Sequence, residues 1–240
     1  MCHRVIQQAA CALSTLAQDA VVAITIAAAG AIQPHVRLLG ADCHEVSRYN
    51  ACGALMGLAQ NHWCCIVIAL AGAVPPLVRL LGRNAPHGVP QIAAGALWML
   101  AHGNAENSAA IAAAGAIPLL VLLLRPGSPA LAQRDAAGAL GALAQAKPDT
   151  AATIAAAGAI PPLVQLLGPA RVQPRGCPWS KVQLEAALAL MCLSLDVAEP
   201  IRRVGSIPAL QVLLRSAGLD HETRSIASQT LWLLEHHLVP

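Results

Sequence analysis

The stretch "AAAGAIPPLVQLLG", Ala155 to Gly168, places a glycine and two adjacent prolines inside an otherwise apolar run. The same phrase recurs as "AAAGAIQPHVRLLG" at 27–40, "ALAGAVPPLVRLLG" at 69–82, "AAAGAIPLLVLLLR" at 112–125 and "RRVGSIPALQVLLR" at 202–215. Its glycines, Gly30, Gly72, Gly115, Gly158 and Gly205, are 42, 43, 43 and 47 residues apart. Self-similarity at such a period is the signature of a helical solenoid, in which each unit buries its apolar face only by stacking on its neighbours.

The internal order of a unit follows from the residues. A short first helix such as "TAATIAAA" ends at Gly158, which takes the left-handed conformation without a side-chain penalty. Pro161 and Pro162 then fit the first turn of a second helix, where a missing backbone donor costs nothing, so that helix starts at a sharp angle. Its apolar residues Ile160, Leu163, Val164 and Leu167 fall at i, i+3, i+4 and i+7, and Val74, Leu77, Val78, Leu81 and Ile117, Leu120, Val121, Leu124 repeat that stripe.

A longer third helix follows, written "YNACGALMGLAQ" at 49–60, "QIAAGALWMLAH" at 91–102, "RDAAGALGALAQ" at 134–145, "LEAALALMCLSL" at 184–195 and "SIASQTLWLLEH" at 225–236. Each carries a Leu-x-x-Leu ridge preceded by small residues, for example Ala93, Ala94 and Gly95, which let neighbouring helices approach closely. The expected layout is one solenoid over 1–240. It begins with a lone third helix at 1–18 and continues through units at 19–60, 61–103, 104–146 and 147–195, the last with an inserted loop at 168–180. A more polar capping unit closes it at 196–240. The opening on a third helix leads us to expect a start inside a longer array.

Composition narrows the functional classes. The chain is 56% hydrophobic and 11% charged, far from disorder, and the absence of Phe directs the core to Ala, Leu, Ile and Val. A net charge of +3, scattered along the chain, makes no nucleic-acid footprint, and no nucleic-acid partner is expected. The eight cysteines show no CxxC pair and read as reduced core residues of a cytoplasmic or nuclear protein. No secretory signal pattern is visible. The apolar runs Trp63–Val78 and Ala109–Leu124 fall short of the roughly 20 residues of a bilayer span, and no transmembrane segment is expected.

These phrases closely resemble the armadillo repeat family, whose units carry "AGAIPPLVxLL" followed by "AAxALxNLA". The likeness extends over nearly the whole chain in five in-register copies, and the units look most like those of plant, algal and protist armadillo proteins. These include the vacuolar-inheritance protein and the arrays of U-box ubiquitin ligases. The resemblance implies an all-α fold, a right-handed superhelix of three-helix repeats whose third helices line a groove for extended or helical segments of other proteins. It implies no catalysis and no cofactor. The expected protein is a monomeric, non-enzymatic interaction scaffold or adaptor. The alternative is the substrate-recognition array of a larger ubiquitin ligase.

Nuclear-import receptors of this family hold peptides with an asparagine on each third helix and a tryptophan four residues earlier. The matching asparagine positions here are Thr15, Gly57, Met99, Ala142, Cys192 and Leu233, and the tryptophan positions are Cys11, Gly53, Gly95, Gly138, Leu188 and Gln229. Recognition of a nuclear-localisation signal by that ladder is therefore not expected. Trp98 and Trp232 sit one residue before the ladder, about 100° away around the helix.

Candidate partner-binding residues lie three positions past the ladder, where Gln18, Gln60, His102, Gln145 and His236 form a row able to hydrogen-bond a partner's backbone. Ordinary solvated helix ends account for the same residues. Trp98 joins the candidates, as do Arg171, Arg175 and Trp179 of the inserted segment, whose composition suits an interface. His62 beside Cys64 and Cys65 lacks the geometry of a nucleophile and base, and Glu235, His236 and His237 lack metal-ligand spacing, so no catalytic or metal residue is assigned. His35 replaces a leucine of the second-helix stripe and reads as a hydrogen-bonded core or edge histidine.

Overall fold

The computed structural model describes residues 19–82, 85, 88–168, 179–216 and 219–236. The expected lone helix at 1–18, with Gln18, and most of the inserted segment, with Arg171 and Arg175, lie outside them. The described residues form fourteen helices and no strand. In chain order these are α1 (Ala20–Ala28), α2 (Ile32–Leu38), α3 (Glu45–Leu58), α4 (His62–Leu70), α5 (Val74–Arg79), α6 (Val89–Ala101) and α7 (Ala105–Ala113). They continue as α8 (Ala116–Leu123), α9 (Ala130–Ala146), α10 (Pro148–Ala156), α11 (Ile160–Leu166), α12 (Trp179–Arg203), α13 (Ser206–Leu214) and α14 (His221–His236). Two compact units divide the chain, Met1–Leu119 and Leu120–Pro240.

The glycine joint is built as its residues require. Gly30, Gly72, Gly115, Gly158 and Gly205 all have φ between 80° and 83°. At Gly158 the amide donates to the Ala155 carbonyl (2.9 Å) and the Ala159 amide to that of Ile154 (3.3 Å), the paired bonds of a Schellman motif. Gly30 and Gly72 make the same pair. In the first unit the turn at Gly30 sets α1 and α2 76° apart. Three of the first helices also start on a side-chain cap, whereas α10 has none. Asp19 accepts from the amides of Val21 and Val22, Asn61 from those of Trp63 and Cys64, and Asn104 from that of Asn107.

Most of the second-helix stripe is buried: Ile117, Leu120, Leu124, Ile160, Leu163 and Leu167, together with Val74, Leu77, Val78 and Leu81. Val121 and Val164 depart from the expectation and are half-buried. In α11 the buried set is completed by Leu166 instead, because the seven-residue helix ends there and the chain turns both leucines inward. His35 is buried and donates from Nδ1 to the Ala31 carbonyl at 2.6 Å, a hydrogen-bonded core histidine.

Third helices pack side by side within each unit, α3 on α6 in the first, and α9 on α12 and α12 on α14 in the second. One register position at their start carries a clamp that sequence periodicity does not reveal. Gln133 donates to the carbonyls of Leu124 and Arg125, Gln183 to those of Leu167 and Gly168, and Arg224 to that of Leu214, in each case the closing turn of the preceding second helix. These bonds occupy carbonyls that a helix end leaves without an intrahelical partner. In the last part of the chain a third helix runs into the next first helix without a loop. Only Val197, at φ −132° and ψ 43°, breaks α12, and Pro200 follows in the new first turn.

Ser206 is the one misfit in the joint. Its Oγ is buried without a hydrogen-bond partner, and the corresponding Ala73, Ala116 and Ala159 are all fully buried. Because a buried unpaired hydroxyl carries its desolvation penalty, Ser206→Ala is expected to stabilise the protein by about 1 kcal/mol. A urea melt showing no gain in midpoint would refute this.

Candidate functional site

The third helices before α14 expose few side chains. Along α9, residues 135–144 are all buried, and its surface reappears at Gln145. The asparagine-ladder positions Gly57, Ala142 and Cys192 are buried, and Met99 and Leu233 are half-buried. At this level the helices meet through small residues. An added Cβ on Gly141 of α9 would lie 3.3 Å from Cα of Ala189 on α12, whereas one on Gly53 of α3 would meet nothing within 4 Å.

Within the first unit the candidates Gln60 and His102 are exposed at the ends of α3 and α6. In the second, Gln145 and His236 are exposed at the ends of α9 and α14. His236 donates from Nδ1 to the Trp232 carbonyl at 2.9 Å and stacks on the Trp232 ring, centroids 5.0 Å apart. The fourth third helix interrupts the pattern with Leu195, which is 57% exposed.

The tryptophans differ from expectation. Trp98 is half-buried in α6. Trp179, expected as an exposed hot-spot residue, is half-buried at the start of α12, with its indole N–H donating to the Gly168 carbonyl at 3.1 Å. It closes the end of α11 beside Gln183. The exposed tryptophans are Trp63 at 46% and Trp232 at 59%. Trp63 belongs to an outward apolar stripe on α4 with Ile66 and Leu70, and Val21 and Ile24 hold the same register on α1. Later first helices carry Glu106 and Asp149 where Trp63 stands, and that register comparison was the available sequence signal.

The chemistry of the remaining polar groups is structural. Cys52, Cys64, Cys65 and Cys192 are buried free thiols. Burial pushes the Cys52 thiol up to about 12 and Cys65 to about 11, which keeps both protonated and poor nucleophiles. The Cys65 thiol donates to the Ala59 carbonyl at 2.9 Å. Asn107, buried in α7, donates to the carbonyls of Cys65 and Leu100 and so ties α7 to α4 and α6. Among the described residues no three His, Cys, Asp or Glu converge on a metal-sized site. No single described helix is long and apolar enough to cross a membrane.

No family model and no curated protein matches this sequence. Solved structures do. An engineered protein is similar at 30% identity and TM-score 0.84, over 95% of this chain and 90% of its own. A designed armadillo repeat protein, solved in complex with the peptide (KR)4, is similar at 28% identity and TM-score 0.81, over 95% of this chain and 92% of its own. The armadillo-repeats-only protein of Plasmodium falciparum shares the fold at 18% identity and TM-score 0.72, over 88% of this chain and 95% of its own. With its glycine joints, proline-initiated second helices and packed third helices, the chain is an all-α solenoid that belongs to the armadillo-like repeat family.

Proposed function

We propose that the chain is a non-enzymatic protein-binding scaffold that takes up peptide segments of other proteins at the exposed ends of its third helices, and that it serves as an adaptor. The observation that carries this reading is the repeated placement of an exposed hydrogen-bonding side chain at one register: Gln60 and His102 in the first unit, Gln145 and His236 in the second. A backbone has a donor and an acceptor at every residue, so amide and imidazole groups in a repeated position suit it without demanding a particular sequence. Similarity to a designed armadillo protein crystallised with a peptide supports the same class of partner. The cationic character of that peptide is not carried over. The ladder that would bind it is replaced by Gly57, Met99, Ala142, Cys192 and Leu233.

The test is selection of a displayed random-peptide library on the purified chain, followed by affinity measurement on the enriched peptides. The triple variant Gln60→Glu, His102→Glu, Gln145→Glu is expected to bind them about tenfold more weakly or worse, since each lost hydrogen bond is worth about 0.5–1.5 kcal/mol. Unchanged affinities in a variant with unchanged circular dichroism would reject the third-helix row as the binding surface.

A further inference from the structure

The outward register of the first helices changes character along the chain. Counted back from each joint glycine, the residues nine, six and two positions earlier are Val21, Ile24 and Ala28 on α1 and Trp63, Ile66 and Leu70 on α4. Apart from Ala28 these are large apolar side chains facing solvent, with Leu70 82% and Val21 73% exposed. The same register carries Glu106 on α7, Asp149 on α10 and Asp196, Glu199 and Arg203 at the close of α12, with alanine in its remaining places. Those charged residues are exposed as well, so the repeat accepts polar side chains here and does not call for the apolar ones.

Within the first unit α1 packs on α4, which sets the two apolar stripes on adjacent helices. Neither helix contains Asp, Glu, Lys or Arg, and His62 in the first turn of α4 is the one exposed ionisable side chain on either. Thr25, the polar residue of α1, donates its hydroxyl to the Val21 carbonyl at 2.8 Å. A helix that is apolar all round is ordinarily covered all round, and an apolar patch left on a surface marks contact with another molecule. We propose that α1 and α4 form the interface of a homodimer, in which each copy lays Val21, Ile24, Trp63, Ile66 and Leu70 against the same face of a second copy.

Charge selects this occupant. In a two-fold contact each residue meets the same patch on the other copy, so a charge on that patch would face its like. Helices α1 and α4 bring no such charge. A helix lying in a lipid surface carries Lys or Arg on its polar face and is drawn by them to anionic headgroups, and neither helix supplies one. A different protein would need an equally uncharged apolar face of its own, whereas a second copy brings one by symmetry. Trp63 gives the contact a broad, rigid anchor of the kind that dominates binding energy. The dimer would take the place of the monomeric state expected from the sequence.

The proposal does not rest on peptide uptake, which concerns the third-helix ends, and its test uses the free chain. Sedimentation velocity of the wild type, in a series up to about 100 μM, is expected to show a monomer–dimer equilibrium that added salt does not weaken. Val21→Glu and Leu70→Glu together set like charges on both sides of the contact, and the dissociation constant is expected to rise about a hundredfold. Both side chains are mostly in solvent, so the circular dichroism of the double variant is expected to match the wild type. Hydrogen exchange checks the interface without any variant, since the amides of α1 and α4 are expected to gain protection as the wild-type concentration rises. A wild type that stays monomeric throughout would overturn the proposal. Its co-sedimentation with phosphatidylcholine and phosphatidylserine vesicles would then assign the stripe to a lipid surface instead. A dimer that survives the double variant at wild-type affinity, or concentration-dependent protection confined to other helices, would overturn it as well.

Discussion

Leu120→Ala is expected to lower the unfolding free energy by about 2–5 kcal/mol, measured as a reduced urea midpoint at unchanged slope. Leu120 lies in α8 with none of its surface exposed, in the stripe completed by Ile117 and Leu124. Truncation removes the transfer free energy of the lost carbons and leaves a cavity, because a close-packed interior relaxes only in part. The core is made of Ala, Leu, Ile and Val without any Phe, which leaves few large rings able to swing into such a space. In a repeat stack each helix is supported by its neighbours alone, so a local loss is not diluted over one large core. A midpoint equal to the wild type would show that α8 does not carry its burial.

Gly141→Leu is expected to cost about 2–3 kcal/mol, and here the cause is overpacking. A Cβ at Gly141 already lies 3.3 Å from Cα, 3.5 Å from N and 3.6 Å from Cβ of Ala189. Two of those atoms are backbone of α12, so the contact yields only if the helix moves, and the three further carbons of leucine have nowhere to go. Gly53→Ala is the matched control, because its Cβ meets nothing within 4 Å and the helix gains about 0.5–1 kcal/mol from replacing glycine. Paired thermal melts should move in opposite directions. A Gly141→Leu protein as stable as the wild type would mean that α9 and α12 do not approach through this glycine.

The two glycines show why third-helix small residues cannot be read one by one from the sequence. Both sit in similar Ala/Gly phrases close to a leucine ridge, yet one is a contact between backbones and the other borders open space. The same division separates Trp179 from Trp63. Trp179 follows prolines and arginines, reads as exposed and spends its indole N–H on Gly168, whereas Trp63 opens an apolar run and is nonetheless 46% exposed. Exposure depends on which neighbour covers a helix face, and that neighbour lies from 11 residues away, as Gly168 does from Trp179, to about a full repeat away, as Ala189 does from Gly141. Gln133 and Gln183 were legible only as polar residues at a helix start, because their acceptors lie 8 to 16 positions earlier across a turn.

What was readable in advance was local. The left-handed glycines, the prolines of the next helix and the 3.6-residue stripe specify a repeating joint, since each involves residues within one or two turns of one another. From that joint came the all-α class, the order of helices and the armadillo-like family. The candidate row Gln60, His102, Gln145 and His236 was also found by register, and each of these four is exposed. Tertiary packing alone decided that Val164 yields its buried place to Leu166 and that Ser206 carries an unpaired hydroxyl. Those outcomes are set by desolvation and close approach between distant segments, and a one-dimensional pattern contains no distance between them.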